Sequence, residues 1–280
     1  MTIDLDLLLK AYASGIFPMA DARDDPDTFW VEPKARAIIP LDNFRMSRSL
    51  RKTIRSDRFQ VTANAAFADV IDICATEAAD RQETWINAEI EEAFNQLHQL
   101  GYAHSIECWQ RDDGSGEDRL VGGLYGLAIG GAFCGESMFS RTRDASKVAL
   151  AWLVARLKVG GFRLLDCQFM TDHLASLGAV EISQEDYVED LKRVRGYVPS
   201  SVSAIKSPIT SAGALFAGGA ERVAGAGEGD AVSGSVSFDA LDVLLARLDE
   251  DVRGAVGFAE SPGVSSSPGK LIAQLLTQTS

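Results

Sequence analysis

The sequence predicts an α+β protein, and three observations carry that prediction. Strand-type runs at 105–110 and 120–129 flank a Gly/Asp/Ser-rich turn at 111–119, and Gly130-Gly131 leads into a third run at 132–137. Strands joined this way pair as antiparallel neighbours. Apolar residues recur at helical spacing over 88–100 and 144–159, and a strand-type run at 163–168 follows the second of these directly. Helix, antiparallel strands, helix, strand and helix in succession make an α+β arrangement.

Leu5, Leu8, Leu9 and Tyr12 share one helical face, and the pattern breaks at Ser14-Gly15 before Pro18. Gly and Pro there mark a turn. A strand is expected at 35–40, then a loop and helix through the basic stretch, and 1–58 reads as a small N-terminal lobe. From 59 to 199 the expected order is a strand at 58–63, a helix at 66–77, the helix at 88–100 with Ile90, Phe94 and Leu97 inward and Gly101 as its stop, then the hairpin and third strand. Asp144 or Ser146 is the expected N-cap of the next helix and Gly160-Gly161 its end. The strand at 163–168 and a short helix at 173–177 ending at Gly178 complete this second domain.

After 199 the composition turns to Ser, Gly and Ala. Such a segment buries too little apolar surface to offset its ordering entropy, so 200–280 is expected to be a mobile tail. Two weak helices are expected in it, one with Phe238, Leu241, Leu244, Leu245 and Leu248 on a single face and one at 271–276.

The 280 residues include 46% hydrophobic residues but no apolar run of eighteen, and the N-terminus is acidic where a secretory signal would be basic. A soluble, intracellular protein without a membrane association is expected. Cys74, Cys108, Cys134 and Cys167 form no C-x-x-C pair, so they read as buried thiols and no metal site is expected. A net charge of −13 argues against a polyanionic partner. Against that stands the segment 45–58, where Arg45, Arg48, Arg51, Lys52, Arg55 and Arg58 face only Asp57. A local patch of this kind can steer RNA, and a solvated basic helix face fits it equally.

Asp166 and Gln168, two apart on an expected strand, should emerge on one face with Cys167 on the other. A carboxylate beside a carboxamide can orient and help deprotonate an amine nucleophile; a satisfied polar pair at a strand end fits the same spacing. Glu136, at the end of an apolar strand, needs a partner, and Lys147 could supply one. The string 135–139 ends in Phe139, so it is no G-x-S-x-G nucleophile elbow. His98, His104 and His173 read as packing or surface residues.

Gly-Ile-Phe-Pro-Met (15–19), Trp-Val-Glu-Pro-Lys-Ala-Arg-Ala (30–37), Ser-Arg-Ser-Leu-Arg-Lys (47–52), Thr-Trp-Ile (84–86), Leu-His-Gln-Leu-Gly-Tyr-Ala-His-Ser-Ile-Glu (97–107), Leu-Val-Gly-Gly-Leu-Tyr-Gly (120–126), Phe-Cys-Gly-Glu-Ser-Met-Phe-Ser (133–140) and Leu-Leu-Asp-Cys-Gln (164–168) follow in order. Together they resemble the leucyl/phenylalanyl-tRNA–protein transferases over about 3–194. The resemblance implies an acetyltransferase-like (GNAT-like) fold with a mixed, largely antiparallel sheet at 59–199. It implies transfer of Leu, Phe or Met from aminoacyl-tRNA to the α-amine of proteins beginning with Arg or Lys, which marks the product for degradation. It implies a cytoplasmic, monomeric enzyme with no cofactor.

By the same resemblance Asp166 and Gln168 are catalytic, and Glu136, Trp30, Trp85, Leu124, Phe133 and Leu153 bind the aminoacyl end of the tRNA. The two tryptophans would stack on its terminal adenine, the apolar residues would hold the Leu or Phe side chain, and Arg45, Arg48, Arg51 and Lys52 would meet phosphates. An acetyl-CoA-dependent N-acetyltransferase would need a glycine-bearing pyrophosphate loop, and 140–146 contains no glycine. A non-catalytic RNA- or peptide-binding module is the remaining alternative; the intact Glu136, Asp166 and Gln168 argue against it.

Overall fold

The computed structural model describes residues 2–76, 84–112, 114–194, 236–255 and 267–277. In chain order the elements are α1 (Leu5–Tyr12), β1 (Phe17–Met19), β2 (Phe29–Val31), β3 (Ala35–Ile38), α2 (Arg48–Arg55), β4 (Gln60–Ala63), α3 (Phe67–Ala75), α4 (Ala88–Gln99) and β5 (Ala103–Arg111). They continue with β6 (Asp118–Ile129), β7 (Ala132–Ser140), α5 (Ala145–Val159), β8 (Leu164–Asp166), α6 (Asp172–Ser176), β9 (Val180–Ser183), α7 (Gln184–Val194), α8 (Ala240–Ala255) and α9 (Pro268–Leu275). Side-chain oxygens of Asp4, Ser47 and Asn87 accept from the orphan amides at the starts of α1, α2 and α4. Asp144 occupies the expected cap position of α5 without capping it. Its backbone is left-handed (φ 70°), and the Ser146 amide donates to Ser140 Oγ instead.

Seven strands form one sheet in the order β4-β5-β6-β7-β8-β3-β9, and β1 pairs with β2 apart from it. Every pairing in the large sheet is antiparallel except β7 with β8, which are parallel and joined through α5. The sheet is therefore mixed and largely antiparallel, as expected. Alternate residues of β6 feed two cores, Leu124 on one face and Tyr125 and Leu127 on the other. On the first face α5 packs on the sheet and is covered in turn by α2, α8 and α9, so it is buried nearly all round. α1, α3 and α4 cover the second face. Gly122 lets α5 approach β6, since a Cβ there would lie 2.5 Å from that of Ala145.

The expected boundary at 58 does not separate two sheets. β3, from the first segment, hydrogen-bonds between β8 and β9 and so belongs to the main sheet. β9 and α7 lie in a stretch where no element was expected. α7 opens with a reciprocal cap in which Ser183 Oγ accepts from the Asp186 amide and donates to the Asp186 carboxylate.

The expected tail also needs correction where it is described. Phe238, Leu241, Ile272, Ala273 and Leu276 are buried in the same core as α5, and Arg156 of α5 forms two 2.6 Å hydrogen bonds to Asp242 of α8. Apolar faces on both helices find a receptive surface, which composition averaged over eighty residues conceals. The expected mobility of 200–235, 256–266 and 278–280 falls outside the described residues.

Candidate active site

β7 and β8 are paired only over residues 132–134 and 164–166. β8 then ends while β7 runs on to Ser140. In the cleft between them lies a cavity of about 300 Å³, lined by 135–138 of β7, 167–169 beyond β8, and apolar side chains from β6, α5 and α6. Glu136 owes its aim to a bulge. Tyr125 of β6 pairs with Ser137 and Gly126 with Gly135, so Glu136 is the extra residue between them, and a bulge redirects the side chain it carries.

Asp166, at the end of β8, is fully buried. Its Oδ1 accepts from Arg36 Nε at 3.0 Å and from the Gln168 backbone N–H at 2.9 Å. Its Oδ2 accepts from Arg36 Nη2 at 2.6 Å and the Tyr187 hydroxyl at 3.0 Å. Arg36 lies between the rings of Phe17 and Tyr187, 4.7 and 4.5 Å from their centroids, and its Nη1 donates to the Gly15 carbonyl. Burial alone would lower the Arg36 pKa, but the bond to Asp166 and its charge outweigh that and hold it above the usual value. A guanidinium and a carboxylate paired in two places, with each guanidinium nitrogen bonded, is the arrangement a buried ion pair requires.

The strand ends early because Gln168 is left-handed (φ 62°). Asp166 captures its amide, and the Ala37 amide donates to its carbonyl at 3.1 Å. This corrects the expected reason for the pairing. Asp166 and Gln168 do not share a strand face, and Asp166 holds the backbone of Gln168, not its side-chain amide. Gln168 Nε2 donates instead to Glu136 Oε2 at 2.9 Å, so the Gln168 carboxamide oxygen is the atom left for another donor. Glu136 is bound to Gln168 and not to Lys147.

Glu136 is buried, and its Oε1 has no hydrogen-bond partner among the described residues. Burial raises its pKa to about 8, with the Asp166 charge adding to the rise, while Tyr12 and Gln168 pull it down. Tyr12 from α1 sits within reach of Glu136 without a well-formed hydrogen bond. A buried carboxyl with an unused oxygen, next to a carboxamide with an unused oxygen, makes a site for the N–H groups of an amine.

Leu124 and Leu153 line the cavity, and Trp85 stands in its wall. Phe133 does not line it; its ring is fully buried and stacks at 5.8 Å on Phe238. Trp30, on β2, is 40% exposed and lies away from the cavity wall. Cys167, expected to point away, lines the cavity and is half-buried, whereas Cys74, Cys108 and Cys134 are buried. Arg48, Arg51, Lys52 and Arg55 share one exposed concavity on α2. Arg45 precedes that helix, also exposed, with its amide on the Leu177 carbonyl. His98 and His104 are packing residues, stacked on Phe67 and Phe238. His173 lines the cavity, and burial first, then Lys147, lowers its pKa.

Arg36 and Tyr187 were missed, because an arginine between two alanines in a four-residue strand reads as a solvent-facing charge and no helix was expected at Tyr187. Met138 faces Leu124 across β6 and β7 and lines the cavity with Leu150, Leu165 and Leu174. Phe169 and Thr171 reach it from the turn after β8, where no periodicity marks them, and His173 reaches it from α6. Among the described residues no group of three His, Cys, Asp or Glu could hold a metal ion, and no helix is long and apolar enough to cross a membrane.

Residues 38–192 match the family model described as leucyl/phenylalanyl-tRNA protein transferase, and residues 1–34 match the model of the N-terminal domain of the same proteins. A leucyl/phenylalanyl-tRNA–protein transferase of Rhizorhabdus wittichii is 62% identical over 202 residues, covering 72% of this chain and 79% of its own. Another, of Novosphingobium aromaticivorans, is 52% identical over 277 residues, 98% of this chain and 96% of its own. Among solved structures FemX superposes with a TM-score of 0.45 and 10% identity over 63% of this chain and 66% of that one, too slight a likeness to carry weight.

Proposed function

Because the chain belongs to the leucyl/phenylalanyl-tRNA–protein transferase family, a family of enzymes that move an aminoacyl group from tRNA to protein, we propose that the cleft between β7 and β8 is where that transfer occurs. Leu124, Met138, Leu150, Leu153, Leu165 and Leu174 enclose the side chain of a leucyl or phenylalanyl ester. A cavity near 300 Å³ has room for one large apolar side chain. Trp85 at its wall offers a platform for the terminal base, a stack that contributes roughly 1–3 kcal/mol. Trp30, exposed on β2, serves the nucleotides beyond that base.

Glu136 Oε1 receives the α-amino group of the ester, and the Gln168 carboxamide oxygen accepts an N–H of the incoming amine and turns its lone pair toward the ester carbonyl. The amine attacks, a tetrahedral intermediate forms, the ribose oxygen leaves and takes up the proton the amine gives away. No net proton passes to the protein. The ester is already activated, so alignment of the two substrates supplies most of the rate. Asp166 is a positioning residue in this scheme, since all four of its contacts fix Arg36, Tyr187 or the backbone of Gln168.

The acceptor is a protein with an N-terminal Arg or Lys, a cation that suits a chain with a net charge of −13. Arg45, Arg48, Arg51 and Lys52 hold tRNA phosphates. The enzyme acts in the cytoplasm as a monomer, and its product carries an N-terminal residue that directs it to degradation. The observation that carries the reading is the pair of unused oxygens on Glu136 and Gln168 above an apolar cavity. Incubation with radiolabelled leucyl-tRNA and a peptide beginning with Arg should move label into the peptide. Label that stays on tRNA would refute the reading.

A further inference from the structure

We propose that His173 reads the terminal ribose of the donor: its Nε2 forms a hydrogen bond with the 2′-hydroxyl beside the ester, so that a donor ending in a ribonucleotide is used in preference to one ending in a deoxynucleotide. The assignment rests on the reading of the cleft as the aminoacyl-transfer site.

His173 lines the cavity from α6. Its Nε2 is shut off from solvent and has no hydrogen-bond partner among the described residues. A buried polar atom left unpaired costs free energy, and in the wall of a cavity it marks where a ligand can supply the missing bond. The helix that carries it is held firmly. Thr171 Oγ1 accepts from the Leu174 amide at 3.2 Å, Leu174 is buried in the core around α5, and the Leu177 carbonyl just past the helix accepts from the Arg45 amide at 2.8 Å. Gln168, Phe169, Thr171 and His173 all line the cavity, so the imidazole lies five residues along the chain from the carboxamide that receives the incoming amine.

Glu136 Oε1 and the Gln168 carboxamide oxygen are taken by the two amines of the reaction, and the apolar lining by the aminoacyl side chain. What the donor still presents at this end is its ester oxygens and the ribose hydroxyl next to them. Burial and then the charge of Lys147 lower the His173 pKa, which favours the neutral imidazole with one N–H and one bare nitrogen. A hydroxyl both donates and accepts, so it satisfies Nε2 in either tautomer, whereas ester oxygens only accept. The 2′-hydroxyl is also the group that distinguishes RNA from DNA at a given site.

The test is single-turnover transfer to an Arg-initiated peptide from leucyl-tRNA whose last nucleotide is adenosine or 2′-deoxyadenosine, with wild type, His173→Leu and His173→Gln. Rates are divided by those at which free hydroxylamine cleaves each ester, which removes the intrinsic effect of the hydroxyl on the bond. The wild type should then prefer the ribose-ended donor about tenfold, as expected when one buried hydrogen bond goes unmade. His173→Leu should use both donors equally, and His173→Gln, which keeps a polar atom near the place of Nε2, should retain part of the preference. Equal use of the two donors by the wild type would overturn the proposal, and so would an undiminished preference in His173→Leu. Should His173→Leu fail to fold, the wild type and His173→Gln decide, a preference in His173→Gln larger than in the wild type counting against the assignment. Wild-type protein that moves label from neither donor would instead overturn the reading on which the proposal rests.

Discussion

Arg36 and Asp166 bond in two places with side chains 1% and 0% exposed. Removing one partner of such a pair leaves a buried charge unmatched and costs about 3–5 kcal/mol. Asp166→Ala should therefore lower the urea midpoint strongly as well as slow transfer, and an unchanged midpoint would show that the pair is not braced as described. Glu136 makes the opposite kind of prediction. Its pKa of about 8 lies above the ordinary 4.5, so the folded protein holds this proton more tightly than the unfolded chain does. Its contribution to stability is fully present below about pH 4.5 and is lost as pH rises toward 8. Glu136→Gln should remove that decline, which urea titrations at pH 5 and pH 8 would read; parallel losses in both proteins would contradict the assignment. The identities of Glu136, Asp166 and Gln168 were legible in the sequence. Their mutual geometry was not, because a bulge and one left-handed residue redirect two of the three side chains.

Elements with strong periodicity were readable: α4, α5 and the β5–β6 hairpin lie within a few residues of the expected bounds. β1 and β2 escaped notice because three-residue strands offer no alternation to count. α7 escaped because most of its surface is charged, with only Tyr187 and Leu191 buried, although Ser183 and Asp186 spell a capping box. The cavity is built at this scale, with β6 and α5 supplying Leu124 and Leu153. Leu153→Ala should enlarge it and shift transfer toward the phenylalanyl donor, each lost methylene being worth on the order of 1 kcal/mol of selectivity. A fall in stability without any change in the leucyl-to-phenylalanyl ratio would return Leu153 to plain core. Phe238 seats α8 against His104, Phe133 and Arg156. Phe238→Ala should cost about 3–5 kcal/mol in a denaturant titration, whereas a helix resting loosely on the surface would lose almost nothing.

At the scale of the whole molecule, sequence order and spatial order diverge. β3 comes from the first forty residues yet joins the sheet between β8 and β9, and it carries the arginine that fixes the end of β8. The described helices at the other end of the chain cover α5 and α2. Antiparallel neighbours joined by short turns can be read from sequence; a strand that joins a sheet across more than a hundred intervening residues cannot, because nothing local specifies its partner. The catalytic account depends on this assembly delivering one free carboxamide oxygen to the cavity. Single-turnover transfer from leucyl-tRNA to an Arg-initiated peptide should therefore be compared between the wild type and Gln168→Met, which keeps the volume and loses the amide. The account predicts that transfer by Gln168→Met falls at least a hundredfold, in line with lost acid–base and orienting help, while tRNA binding is retained. Transfer at the wild-type rate in a folded, tRNA-bound Gln168→Met protein would contradict it.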